Sequence, residues 1–174
     1  MSGAIRVVRR DGPGASMDAI AAEAGVTKPI VYRHFGDRDG LTQAIATQFA
    51  AELFVDLRAA LSADDQPQDV LRATIDAYLA FIERDPQIYR FLLQQAAPMT
   101  DFIRQVAGEV ASVLGEGLRQ VGADSGAAGP WAFGLVGMVH LAGDWWLEQP
   151  TMPRARLVQY LTDLVWSGMG SVIK

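Results

Sequence analysis

The chain has 174 residues, 50% of them hydrophobic, 20% charged and 9% aromatic, with a formal net charge of −5. This is globular composition for one domain, or a large one beside a very small one, and it excludes a chain disordered throughout. No apolar stretch reaches the roughly 18 residues of a membrane span, residues 1–10 lack the apolar core of a secretory signal, and a cytoplasmic location is the expectation. The absence of cysteine excludes disulfides, thiolate nucleophiles and cysteine-based zinc sites.

Breakers divide the chain into helical patterns, and the alternation of β-strands is absent, so an all-α fold is expected. Met17, Ile20, Ala21 and Ala24 recur at helical spacing, with Ser16 as the N-cap of a short helix. Gly25 makes the turn, and Thr27 caps a second short helix to about Phe35, with Val26, Val31 and Phe35 facing the core. Asp37 caps a long third segment whose Leu41, Ile45, Phe49, Leu53 and Leu57 form one stripe. Pro67 opens a helix carrying Leu71, Ile75, Tyr78, Leu79 and Ile82. Further helices are expected over 88–95, after a restart at Asp85-Pro86, and over 100–121, 130–147 and 153–173.

Two short helices joined at a glycine, the second starting at a polar cap, describe a helix-turn-helix. In that motif the second helix enters the major groove. Lys28, Pro29, Ile30, Tyr32, Arg33 and His34 are left to face outwards. Lys28 stands out because the chain holds only two lysines against thirteen arginines. Residues 1–40 carry a net charge of +1 and residues 41–174 a net of −6. Spacing alone leaves both a DNA-reading motif and an ordinary helical corner open.

The stretch from Ser16 to Leu41 closely resembles the DNA-binding segment of the TetR family of transcriptional regulators. The resemblance rests on Ser16, Ile20-Ala21, Ala24-Gly25-Val26, Tyr32-Arg33-His34-Phe35 and Arg38-Asp39-Gly40-Leu41. It implies a helix-turn-helix domain at 1–40 followed by a larger helical ligand-binding and dimerisation body at 41–174. It also implies that Ser16 and Thr27 bond phosphates and that Lys28, Pro29, Ile30 and Arg33 meet base edges. Tyr32, His34 and Arg38 then bind phosphate, which fixes register without reading sequence. In the family a full helix precedes the hydroxyl residue. Here only Gly3 to Arg10 precede the turn, with Ile5 and Val8 as its core face, so a truncated first helix and a longer native N-terminus are expected.

The last two helices are the expected dimer surface. Leu157, Leu161, Leu164 and Gly168 offer a seam, and Gly134, Gly137 and Gly143 allow close helix approach. Ligand binding is expected among the aromatic-rich middle helices at Tyr78, Phe81, Gln94, Met99, Phe102, Trp131, Met138, His140 and Trp145. His140 also suits an ordinary core histidine.

No phosphate-binding or dinucleotide glycine motif follows a strand, and His34 and His140 lie far apart, so neither an enzyme nor a metal or cofactor site is expected. Asp64-Asp65 reads as solvated loop. The reading is a ligand-responsive regulator, a repressor, that binds near-palindromic double-stranded DNA as a homodimer and is released by a small hydrophobic effector. The alternative is a small-molecule-binding helical dimer with an incomplete, non-functional DNA-binding head.

Overall fold

The structure is a computed structural model that describes residues 1–61, 66–94 and 96–169, with the backbone alone considered at 96–98 and 169. The described residues form nine α-helices and no strand: α1 (Ser2–Asp11), α2 (Met17–Ala24), α3 (Lys28–Phe35), α4 (Arg38–Leu61), α5 (Pro67–Arg84), α6 (Pro86–Leu93), α7 (Ala96–Gln120), α8 (Ala128–Glu148) and α9 (Arg154–Met169). Asp64-Asp65, Gln95 and Ile173 lie outside the described residues. The helix expected from 100 starts earlier, at Ala96. Position 98 then falls in the first turn, where a proline's missing N–H has no helical partner to lose.

The chain divides into two compact units, the first comprising 1–52 and 84–102, the second 53–83 and 103–174. In the first unit, the preceding helix α1 forms over ten residues and buries Ala4, Val7 and Val8, with Ile5 only half-buried. The buried set follows the i, i+3, i+4 rule from Ala4, so the phase differs by one position from the Ile5–Val8 face expected. Arg9 of α1 reaches Asp85, which is buried at the start of α6, through two hydrogen bonds.

Ser16 caps α2 as expected, its hydroxyl oxygen accepting from the Ala19 N–H at 3.1 Å. Gly25 ends that helix in the left-handed region, φ 64°, where a side chain would be strained. Asp37 receives the Gly40 N–H at 2.8 Å and opens α4. All five members of the α4 stripe are buried.

In the second unit, Gly143 of α8 packs against α5 so tightly that a Cβ would sit 2.8 Å from Ile82 Cδ1. Arg154 of α9 binds Asp76 at 2.8 Å and also Glu83, both on α5. Leu157 and Leu161 are buried within this unit, whereas Leu164 is 63% exposed. The expected α9 seam therefore divides: its first half serves the subunit's own core. The outward row is Tyr160, Leu164 and Gly168, four apart on the helix.

Candidate nucleic-acid interface and effector cavity

Every residue from Thr27 to His34 is exposed except Val31, which is 4% exposed and anchors α3 to the rest of the first unit. A helix with a single buried residue offers nearly its whole surface to a partner. Val26, expected in the core, is 37% exposed. It follows Gly25 in the turn, before α3 begins, so its side chain escapes the helical phase that buries Val31. Phe35 is half-buried, with the His34 ring edge-on to it at 4.5 Å.

Thr27 occupies the N-cap position of α3 but its hydroxyl makes no cap bond; its backbone carbonyl accepts from the Ile30 N–H instead. Lys28 is the first helical residue. Its ammonium lies 2.8 Å from Oδ1 of Asp18 on α2 and 5.9 Å from the centre of the Tyr32 ring. The hydrogen bond to Asp18, and then its charge, raise the Lys28 pKa above the usual lysine value.

Arg38 is half-buried, unlike the other residues expected at DNA. Its terminal nitrogens donate to the carbonyls of Ala15, at 2.5 Å, and Pro13, at 2.8 Å. The guanidinium also lies over the Phe91 ring at 5.5 Å. Arg38 thus fixes the loop that delivers Ser16 to the start of α2. Sequence spacing has no means of separating a carbonyl acceptor from a phosphate one.

The second unit holds two neighbouring apolar cavities. A narrow one of about 40 Å³ is walled by Leu57, Thr74, Ile75, Tyr78, Val106, Val110, Leu135, Val136 and Val139. A wider one of about 300 Å³ shares Thr74, Val110 and Leu135 with it and extends along Leu61, Val70, Leu71, Leu114, Leu118 and Trp166. Among the described residues, no charged side chain lines either.

Of the nine residues expected at a ligand, Tyr78 alone lines either of these two cavities among the described residues. Its hydroxyl oxygen lies 3.0 Å from Nδ1 of His140. Burial lowers the His140 pKa below the usual imidazole value, with the Asp144 charge opposing in smaller measure. Phe81 is buried, Trp131 and Met138 are half-buried, and Trp145 is exposed, all in the second unit. Gln94, Met99 and Phe102 belong to the first unit. The other wall residues are mostly aliphatic. Their signal is the broad apolar run Val106, Val110, Val113, Leu114 and Leu118 along α7, with Val121 just beyond it, wider than one packed neighbour needs.

Residues 1–45 match the family described as bacterial regulatory proteins, tetR family, and residues 56–173 match the tetracyclin repressor-like C-terminal domain. The chain belongs to the TetR family of transcriptional regulators. This TetR-family chain is 35% identical over 180 residues to an HTH-type transcriptional regulator of Mycobacterium tuberculosis, covering 100% of this chain and 77% of that one. It is 29% identical to the HTH-type transcriptional activator FasR of Mycolicibacterium smegmatis, covering 95% of this chain and 78% of that one. The transcriptional regulator FadR of Bacillus subtilis, solved in complex with stearoyl-CoA, shares the fold with a TM-score of 0.74 at 16% identity, each chain covered to 96%. The family and these relatives are regulators of transcription rather than enzymes. Among the described residues, no helix of this TetR-family chain is long and apolar enough to cross a membrane.

Proposed function

We propose that this regulator is a repressor that binds a near-palindromic operator as a homodimer and leaves it when an apolar effector enters the second unit. The observation that carries the DNA reading is the run of exposed residues on α3, interrupted by Val31 alone. With the start of α3 in the major groove, Lys28 and Arg33 address base edges, while Pro29 and Ile30 meet thymine methyl groups. Ser16, Thr27, Tyr32 and His34 bind flanking phosphates. Arg38 has the separate task of holding the 13–15 loop.

A single short helix reads too few base pairs for useful discrimination, and a two-fold dimer places two of them one DNA turn apart, about 34–36 Å. The dimer surface is supported by two outward apolar rows. Phe133, Leu141 and Trp145 are exposed on α8, with Gly137 between them and nothing within 4 Å of its would-be Cβ. Tyr160 and Leu164 are exposed on α9. Small residues amid large apolar ones suit close helix contact across such an interface.

The effector we propose carries a hydrocarbon chain, because walls without charge favour apolar matter and penalise buried ions. Stearoyl-CoA in the FadR structure is an instance of such a molecule on this fold. Release requires the effector to prefer the off-DNA state by about 1–3 kcal/mol. Helix α4, one continuous helix contributing to both units, is the mechanical link.

The test is footprinting on the DNA upstream of the gene, with in vitro transcription from the same fragment. A protected near-palindrome, binding that weakens steeply with salt and reduced transcription are expected. Lys28→Ala and Tyr32→Ala both weaken binding; a protein indifferent to both changes, or one that binds no specific DNA, sinks the reading and leaves a ligand-binding helical dimer.

A further inference from the structure

We infer that Asp18 is a specificity-determining residue: its carboxylate holds Lys28 in one position at the start of the recognition helix, so that Lys28 reads one base pair per half-site. The inference rests on the DNA reading above. The observation is a three-part arrangement on the exposed face of the first unit. Asp18 is the second residue of α2, whose start is fixed by the Ser16 cap. Lys28 is the first residue of α3, and its ammonium lies between the Asp18 carboxylate at 2.8 Å and the Tyr32 ring at 5.9 Å.

A lysine ammonium is a point charge on a flexible stem, able to meet any acceptor within reach. Such freedom suits phosphate binding and gives poor discrimination among bases. An ammonium has three donors. With one directed to Asp18, the others are aimed in a restricted set of directions, as recognition of the paired acceptors on guanine requires. Part of the ordering is then in place before DNA arrives, as much as an exposed ion pair supplies. Arg33, the other cation of α3, forms no ion pair among the described residues and keeps its full reach.

The carboxylate also opposes DNA phosphates. It therefore lowers affinity for every sequence while sharpening the choice among them, a repulsive element of the kind specificity needs. Asp18 contributes favourably to the helix dipole of α2 as well. Stability alone therefore does not separate the two roles, and discrimination must be the readout.

The experiment uses a duplex selected from random sequence by the wild-type protein, its single-base-pair variants and an unrelated duplex. Wild type, Asp18→Asn, Lys28→Ala and the double variant are compared, each first checked for a coincident thermal transition. We expect Asp18→Asn to bind the unrelated duplex more tightly and to lose about twofold to fivefold in discrimination at the one base pair that Lys28→Ala also relaxes. In the Lys28→Ala background, Asp18→Asn should change discrimination no further, though non-specific binding still rises. Wild-type discrimination at that pair in Asp18→Asn overturns the inference, as does an equal loss in both backgrounds. If Lys28→Ala keeps full discrimination, the base-reading role of Lys28 falls and this inference with it. Absence of any selected sequence for the wild type overturns the proposed function itself.

Discussion

Arg9 and Asp85 join the first helix to the start of α6, with Nε to Oδ1 at 2.6 Å and the second nitrogen to Oδ2 at 3.0 Å. Asp85 is 7% exposed while the Arg9 side chain is about half exposed, so the carboxylate depends on the pair more than the guanidinium does. Arg9→Ala leaves a buried charge without its partner, a change that costs about 3–5 kcal/mol in a fully buried pair. With one partner half in water and Arg84 Nε 3.7 Å from Asp85, about 1–3 kcal/mol is expected. Asp85→Asn should cost less than Arg9→Ala, and urea unfolding followed by circular dichroism measures both.

Arg38 offers a sharper discrimination. A phosphate ligand removed from a DNA interface lowers the slope of log affinity against log salt by about one. Because both terminal nitrogens of Arg38 already donate to Pro13 and Ala15 carbonyls, Arg38→Ala should leave that slope unchanged. It should instead lower stability by about 1–2 kcal/mol through two lost charge-assisted bonds. Arg33→Ala, at a base edge, should instead leave stability within about 0.5 kcal/mol and relax base preference, while salt titration and urea unfolding of Arg38→Ala decide its own role.

The glycines of α8 fall into two classes with opposite consequences. Gly143→Val drives a branched side chain into Ile82 and Leu79, both buried, and overpacking of this kind costs about 1–3 kcal/mol. Gly137 meets open space inside α8, so Gly137→Leu should not destabilise the folded chain and should gain up to about 1 kcal/mol from helix propensity. Its effect should appear in assembly. Sedimentation at several concentrations should show a weakened dimer for Gly137→Leu.

The head was legible in the sequence because its roles are local. The Ser16 cap, the Gly25 turn and the Asp37 cap each follow from spacing within a few residues, and each appears in the structure. The second unit was less legible because its sites are tertiary. Val110 and Val139 line a cavity while Phe81, the more conspicuous side chain, is plain core, and nothing in either residue type tells them apart. The α9 seam divides along its length for the same reason. Leucines at 157, 161 and 164 share one face and look alike in sequence, and only the neighbours packed against each turn of α9 decide which of them are covered.

His140 gives stability a pH dependence whose sign is fixed. Its pKa in the folded chain is held below the ordinary value by burial, so the unfolded chain takes up a proton first as pH falls. Stability contributed by the neutral ring is therefore present above about pH 6.5 and is lost as pH drops through the lowered folded value. Protonation also makes both ring nitrogens donors, so the Tyr78 hydroxyl oxygen can then only accept from Nδ1. Comparing wild type with His140→Gln between pH 7.5 and 5.5 by thermal melting, wild type should lose stability on acidification more steeply than the variant. Parallel curves would remove His140 as the cause.

Val110 stands in the wall of both cavities and offers a test of where the effector enters. Enlarging it to Phe directs the added ring into empty apolar space rather than into packed neighbours, so the usual penalty of overpacking is offset by filling the void. A change in unfolding free energy within about 1 kcal/mol is expected, which for a chain of this size moves the melting temperature by roughly 2–4 °C at most. The ligand response should change far more. A long-chain alkanol that binds the folded wild type raises its melting temperature in proportion to the logarithm of its concentration. Val110→Phe should abolish that rise while binding the operator as wild type does, giving a regulator that stays on DNA in the presence of the alkanol. If the alkanol still stabilises Val110→Phe and still releases it from DNA, the chain sits elsewhere and these cavities are not the effector site.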